Sequence, residues 1–226
     1  MAPFGKSELQ ARLSTLIEAG FLVRHERALQ TTYSFRHALI QEVAYSSLLR
    51  ARRRVYHERI ASALTEEFPE LSEARPELLA HHYGLAERSA EATTYWRRAG
   101  ERALERGASV DAAAHFSKGL EQLALLPATA ERSHDEVTMR IGLGTAVIAI
   151  KGYGASEVEE TFFKALAICK NLGETPQLFP ALRGLQSFYQ VHGPLDTALK
   201  IGRQLLRLAE NAGDPVLIVD VHRRNA

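Results

Sequence analysis

The stretch Thr93–Leu125 constrains the fold of this chain more than any other part of its sequence. Small residues and their large partners recur there at helical spacing, on one face of each of two segments: Trp96, Ala99, Gly100 and Ala103, then Ala112, Phe116 and Gly119. A break at residues 106–109 separates the two segments. Small residues let two helices approach closely, and large side chains fill the space beside them. The pattern therefore predicts a tightly packed helix hairpin, which is an architecture rather than a reaction.

The spacing W-x2-A-G-x2-A followed by A-x3-F resembles the tetratricopeptide (TPR) helix hairpin. Weaker pairs follow it, so the predicted repeats cover about 93–127, 131–173 and 176–213, with an incomplete fourth from 214. The resemblance implies a right-handed helical-hairpin solenoid whose first helices line a concave groove for a peptide or a partner protein. Trp96 is then a core residue rather than a platform for ligand stacking. From an array that stops on an unpartnered first helix we expect either a fragment of a longer protein or a truncated reading frame.

Composition excludes several classes of protein. The net charge of +1 over 226 residues gives no global electrostatic footprint for nucleic acid or for a membrane surface. Cys169 is the only cysteine, which excludes an internal disulfide framework and fits a reducing compartment. No apolar run approaches the ~18 residues of a membrane-spanning helix, and the N-terminus lacks an apolar signal core. We therefore expect a cytoplasmic protein with no membrane contact.

The first 68 residues read as helix, strand, turn, strand and two further helices. The predicted segments are a helix from Ser7 to Ala19, strands at 21–23 and 32–35, a helix within Phe35–Leu49, and a helix from about Arg52 to Phe68. This order is the outline of a winged helix. The predicted protein is mainly α: a winged-helix-like segment with a short β-hairpin at 1–68, a linking helical segment at 69–92, and TPR-like repeats at 93–226.

The block YSFRHALIQEVAYSSLLRARRRVYHERIA, residues 33–61, resembles the end of the winged-helix part of STAND-type signalling ATPases. These are bacterial proteins in which an adenylate-cyclase or regulatory domain precedes an AAA-like ATPase and a long TPR tail. The resemblance continues through PELLAHHYGLAE, the Trp96 hairpin, KGYGASEVEE and ETPQLFPAL, and so covers almost the whole chain. Phe35–Leu39 is its most specific piece. The family's ATPase core, with its phosphate loop and acidic metal-binding strand, is not found in this sequence.

In related STAND proteins a winged-helix histidine of this type contacts bound ADP and holds the closed, inactive state. The resemblance implies that role for His37, with Arg36 beside it, once a partner ATPase core supplies the ATP or ADP. An imidazole can donate to a phosphate oxygen, so the chemistry is sound. The alternative is a histidine at a helix start that only caps or packs. Gly5-Lys6-Ser7 looks like the tail of a phosphate loop, but a lysine and a capping serine at a helix start explain it better.

Two other functions stay open on the sequence. Arg50 and Arg52–Arg54 form a basic cluster, which in a winged helix invites a DNA-binding regulator as the alternative, although glutamates downstream offer ion pairs. A nucleotide-binding ATPase subunit is the second alternative. No catalytic constellation is recognised, and no metal site is predicted: Ala61 stands where the motif begun by His57 needs its second ligand, and adjacent histidines such as 81 and 82 diverge on a helix. We predict a non-catalytic sensor-arm segment that binds a protein, a peptide or an ATPase core.

Overall fold

The computed structural model describes residues 5–27, 30–173 and 175–225 of the chain. Over these ranges the protein is mainly helical, with twelve α-helices and one two-stranded antiparallel sheet. The predicted class, mainly α with a short β-hairpin near the N-terminus, is confirmed at this level. The chain forms two compact units, Met1–Tyr56 (unit 1) and His57–Ala226 (unit 2). The predicted segment boundaries and the solenoid stay predictions.

Unit 1 begins with a helix and a hairpin. Its elements are α1 Lys6–Glu18, β1 Leu22–Arg27, β2 Gln30–Phe35, α2 Ala38–Ser46 and the first residues of α3 Arg50–Glu67. Gly20, just after the helix, has φ +76, a left-handed conformation that glycine adopts without strain. The predicted N-cap at Ser7 is wrong, because α1 begins at Lys6 after Gly5 and no side chain caps it.

The β-hairpin is longer than the two short strands predicted from the sequence. Its register runs from Leu22 opposite Phe35 to Arg27 opposite Gln30. His25, expected in the connection, pairs with Thr32 in the sheet, and its Nε2 lies 2.8 Å from Ser34 Oγ. Polar cross-strand pairs stabilise a hairpin that a search for apolar runs does not reveal.

Unit 2 is a succession of helices. After the remainder of α3 come α4 Pro69–Ala74, α5 Pro76–Leu85, α6 Ser89–Glu105, α7 Ser109–Leu123, α8 Ala130–Lys151, α9 Ser156–Leu172, α10 Leu178–Val191, α11 Leu195–Ala212 and α12 Pro215–Asn225. From α4 onward each helix packs against the next one, and α8 also contacts α6 and α10. Pro69 and Pro76 each stand in the first turn of a helix, where a missing N–H costs nothing. Gly213, with φ +63, ends α11, and Asp214 Oδ1 then accepts the Val216 N–H at the start of α12.

The core of unit 2 depends on close helix approaches at glycine. All seven residues of the predicted hairpin pattern are buried: Trp96, Ala99, Gly100, Ala103, Ala112, Phe116 and Gly119. The Phe116 ring lies against Gly100 of α6 and also against Gly142 of α8. Phe162 of α9 lies in the same way between Gly144 of α8 and Gly184 of α10. One aromatic ring thus fills the space that a glycine opens on each neighbouring helix.

Candidate interaction surfaces

The predicted ADP-sensing residues Arg36 and His37 stand together at the junction of β2 and α2. The Arg36 N–H donates to the Phe21 carbonyl at 2.9 Å, which ties the end of the hairpin to its start. His37 is the N-cap residue of α2, and its carbonyl accepts the Ile40 N–H, while its imidazole makes no capping hydrogen bond. Both side chains are exposed. The His37 imidazole therefore does not cap α2, which was the alternative to an ADP contact. The ADP-sensing role stays a prediction.

Unit 1 presents an open apolar surface, which we call the α2 apolar face. Its lining residues come from α1, both strands and α2: Leu16, Phe21, Leu22, Phe35, Leu39, Ile40, Val43 and Ala44. They surround an open cavity of about 590 Å³. Leu39 is 73% exposed and Val43 66% exposed. Among the unit 1 residues whose burial is described, only Leu22 is buried. Apolar surface of this extent is typical of a site that another protein element covers.

One arginine of the basic cluster that suggested DNA binding makes contacts within unit 1. Arg53 Nε donates to the Leu48 carbonyl at 3.0 Å, and its guanidinium carbon lies 5.0 Å from the centre of the Tyr45 ring. A guanidinium held by a carbonyl and by an aromatic face supports the connection between α2 and α3. It gives less free charge to a phosphate backbone than four exposed arginines would.

A second surface lies in unit 2, beside the exposed side of α6, and we call it the α4–α6 pocket. It has a volume of about 390 Å³ and is lined by Thr65, Pro69, Ser72, Glu73, Pro76, Tyr95, Arg98, Glu101, Arg102 and Glu105. The Arg98 guanidinium lies 5.4 Å from the centre of the Tyr95 ring. Arg102 Nε is buried and has no hydrogen-bond partner within the described part of the chain. Such a mixture of charges suits a polar segment of a peptide.

Trp96 lies in a hydrophobic core cluster of unit 2. Its side chain is only 6% exposed. The His115 ring stacks on it, with centroids 5.4 Å apart, and Lys118 Nζ lies 4.8 Å from the ring centre. Burial of the His115 ring lowers its pKa, so that it is neutral against the indole at pH 7. The indole therefore offers no free face for a stacked ligand.

The glycine-rich loop between α8 and α9 is a turn in this structure. Lys151 Nζ, at the start of this loop, lies 2.6 Å from Glu157 Oε1. That hydrogen bond lowers the pKa of the Glu157 carboxyl. Further along α9, the Tyr189 hydroxyl of α10 donates to Glu159 Oε1 at 2.5 Å, which raises the pKa of that tyrosine. The acidic start of α9 thus serves ion pairing and helix docking.

The structure brings together two histidines that the sequence analysis kept apart. His57 of α3 and His82 of α5 approach with their Nδ1 atoms 2.8 Å apart and their ring centroids 5.1 Å apart. His57 is 8% exposed, whereas His81 on the other side of the same turn is exposed. No spacing rule predicts this contact, because 25 positions separate the partners. Within the described ranges, no group of three or more His, Cys, Asp or Glu side chains is arranged to hold a metal ion.

No helix in the part of the chain that the structure describes is both long and apolar enough to cross a bilayer. No protein-family profile matches the chain. It is similar to an uncharacterized protein of Rhizobium meliloti, with 28% identity over 213 residues. That match covers 92% of this chain and 20% of the relative, so the chain spans about a fifth of the length of the protein it resembles.

Proposed function

We propose that this chain is a non-catalytic protein-interaction segment of a STAND-type regulator, with a winged-helix-like unit 1 and a TPR-like unit 2. The observation that carries the proposal is the α2 apolar face. A structural unit that needed no partner would bury Leu39 and Val43, whereas these side chains are 73% and 66% exposed. An apolar element of an ATPase core is the partner that we propose for this face.

The recurring glycine–phenylalanine packing supports the TPR-like array in unit 2. Phe116 and Phe162 fill equivalent positions, each between glycines of the two flanking helices. The interval between equivalent residues is about 40–46 positions, longer than the 34 of an idealised TPR hairpin and within the range of other helical repeats. Contacts of α8 with α6 and α10 fit an array whose alternate helices share one face.

The α4–α6 pocket is the part of this array that we propose for a peptide. Arg98 and Arg102 stand one helical turn apart on α6, and Glu101 between them is paired with Arg97 at 2.7 Å. The two arginines make no ion pair with the described residues and can donate hydrogen bonds to carboxylate or carbonyl oxygens. Glu73 and Glu105 add acceptors for peptide N–H groups at the same rim.

The Rhizobium meliloti relative can supply the partner polypeptide for a test of the docking proposal. The parts of that protein outside the matched region are produced as separate polypeptides and titrated with this chain by calorimetry. We expect one part to bind, and Val43→Asp to weaken that binding at least tenfold, because a buried, unpaired carboxylate is costly to desolvate. Val110→Asp is the matched control, since Val110 is 69% exposed on α7. Equal weakening by both variants, or no binding at all, would contradict the proposal.

The nucleotide-sensing part of the proposal has its own test. ADP affinity is measured for the polypeptide that binds this chain, alone and in complex. We expect the complex to bind ADP more tightly, and His37→Ala to remove the gain without preventing assembly, because the imidazole donates to a phosphate oxygen. His25→Ala is the control, since His25 lies in β1 and its Nε2 is within 2.8 Å of Ser34 Oγ. An ADP affinity that does not depend on His37 would refute the sensing role.

A further inference from the structure

The contact between His57 and His82 imposes a condition on their protonation. Their Nδ1 atoms are 2.8 Å apart, and the rings are tilted by 30° to each other. A ring nitrogen donates when it carries a proton and accepts when it does not. At this distance one Nδ1 must be a donor and the other an acceptor, so the pair holds one proton between the two atoms. Two imidazolium rings would place two N–H groups head to head.

We propose that the His57–His82 contact is a pH-operated latch, which holds α3 against α5 when both imidazoles are neutral and releases the His57 end of that attachment when both are protonated. The latch involves only residues of unit 2. Its action is local, because other contacts fasten the later turns of α3.

Those later contacts do not titrate near neutrality. Ala61 is fully buried, and the Ser72 hydroxyl of α4 donates to the Leu64 carbonyl at 2.6 Å. The Thr65 hydroxyl lies 3.5 Å from the Tyr83 hydroxyl of α5. The turn of α3 that begins at His57 is therefore the part that protonation can free, while residues 61–67 stay attached.

The charged groups around the pair favour its neutral form. His81, on α5 itself, lies with its ring centroid 6.2 Å from that of His57 and 5.4 Å from that of His82. Lys118 of α7 adds positive charge beside His81. Glu58, next to His57 on α3, is the nearest carboxylate along the chain, and it forms an ion pair with Arg88 at 3.1 Å. A second proton on the histidine pair thus meets positive neighbours on α5 and α7.

The direction of the pKa shifts agrees with this geometry. Desolvation by burial, followed by the charges of the neighbouring His57 and His81, lowers the pKa of His82 from 6.5 to about 4. Burial and the charge of His81 also lower the pKa of His57. Because the attached state has the lower pKa values, the latch is fully closed above the unfolded value of 6.5. As the pH falls from 6.5 towards about 4, the equilibrium constant for closing the latch decreases. The decrease is up to tenfold per pH unit for each proton taken up.

Hydrogen exchange of the full chain between pH 7.5 and 4.5, corrected for intrinsic rates, measures the opening of residues 57–60. We expect their opening constant to rise about tenfold per pH unit below pH 6.5, while α9 and α10 keep their protection. His57→Gln and His82→Gln should each flatten this pH dependence, because a glutamine amide can donate or accept and does not titrate. His222→Gln, in an exposed part of α12, is the matched control and should leave it unchanged.

A second measurement keeps the test independent of variant folding. In wild-type chain labelled with ¹⁵N-histidine, His82 should titrate at about pH 4 and His57 below 6.5. His81→Gln should raise the His82 value by removing a positive neighbour. The latch is overturned if His82 titrates near 6.5, or if residues 57–60 open with the same pH dependence in wild type and in both glutamine variants.

Discussion

Unit 1 and unit 2 use apolar residues in opposite ways. In unit 2, rings such as Phe116 and Phe162 are 1% and 2% exposed, and each fits against glycines of two neighbouring helices. In unit 1, Phe21 and Phe35 are 45% and 41% exposed around an open cavity. The same residue type thus stabilises unit 2 internally and forms a surface in unit 1. In our proposal, stability and interaction are divided between the two units, and substitutions can test that division.

The largest effect should follow from removing a ring from the core of unit 2. Phe162→Ala would empty the space between Gly144 and Gly184, and we expect a loss of about 3–5 kcal/mol in the free energy of unfolding. Phe35→Ala in unit 1 should cost less than about 1 kcal/mol, because the ring is already 41% exposed. Urea unfolding of both variants checks the difference. Equal losses would remove the contrast between the units.

The next largest effect on stability should follow from adding a methyl group at a glycine in the core of unit 2. A Cβ at Gly100 would lie 2.7 Å from the Phe116 ring, and we expect Gly100→Ala to cost about 1–3 kcal/mol through overpacking. A Cβ at Gly84 would meet nothing nearer than Gln122 Nε2 at 3.5 Å. Gly84→Ala should therefore be neutral or stabilise α5 by about 1 kcal/mol. The two thermal midpoints should move in opposite directions; if both fall alike, close approach at Gly100 is not what its glycine provides.

A single hydrogen bond between helices should matter less. Tyr189→Phe deletes the donor to Glu159, and we expect a loss of about 1 kcal/mol at pH 7, measured by urea unfolding. Glu159→Gln keeps a side-chain oxygen as acceptor and removes its charge, so the loss caused by Tyr189→Phe should be smaller in that background. A loss of the same size in the Glu159→Gln background would show that ring packing, rather than the charged acceptor, is responsible.

The smallest effect on stability should come from the α2 apolar face. Leu39→Ser replaces a side chain that is 73% exposed, and we expect the unfolding free energy of the isolated chain to change by less than about 0.5 kcal/mol. Val221→Ser, at a position that is 1% exposed in α12, should cost several times more. Comparing the unfolding free energies of these two variants distinguishes a surface position from a core position. A large loss from Leu39→Ser would mean that this face is covered within the free chain.

The sequence predicted unit 2 better than unit 1 for a physical reason. Small residues at helical spacing, such as Ala99 and Gly100, indicate close packing directly, and their burial is confirmed. In unit 1 the strands extend through polar residues such as His25, whose pairing depends on partners in the other strand. The exposure of Leu39 cannot be read from its apolar character, because an interaction surface and a core have the same composition.

The candidate sites show the same limit. Arg36 and His37 are adjacent in sequence, so their joint placement before α2 was predictable. The contact between His57 and His82 depends on how α3 lies against α5, and no local pattern encodes it. The sequence also does not predict the unpaired Arg102 Nε in the α4–α6 pocket, because its burial depends on how the helices pack.

Hydrogen exchange of this chain, with and without the partner polypeptide from the Rhizobium meliloti relative, tests the central claim most directly. The free chain should exchange rapidly at Leu22–Arg27, Gln30–Phe35 and Ala38–Ser46, and slowly in α6 to α9. Binding should slow exchange in the hairpin and α2 and leave the core of unit 2 unchanged. Slow exchange of unit 1 in the free chain, or protection that appears only in unit 2 on binding, would contradict the account.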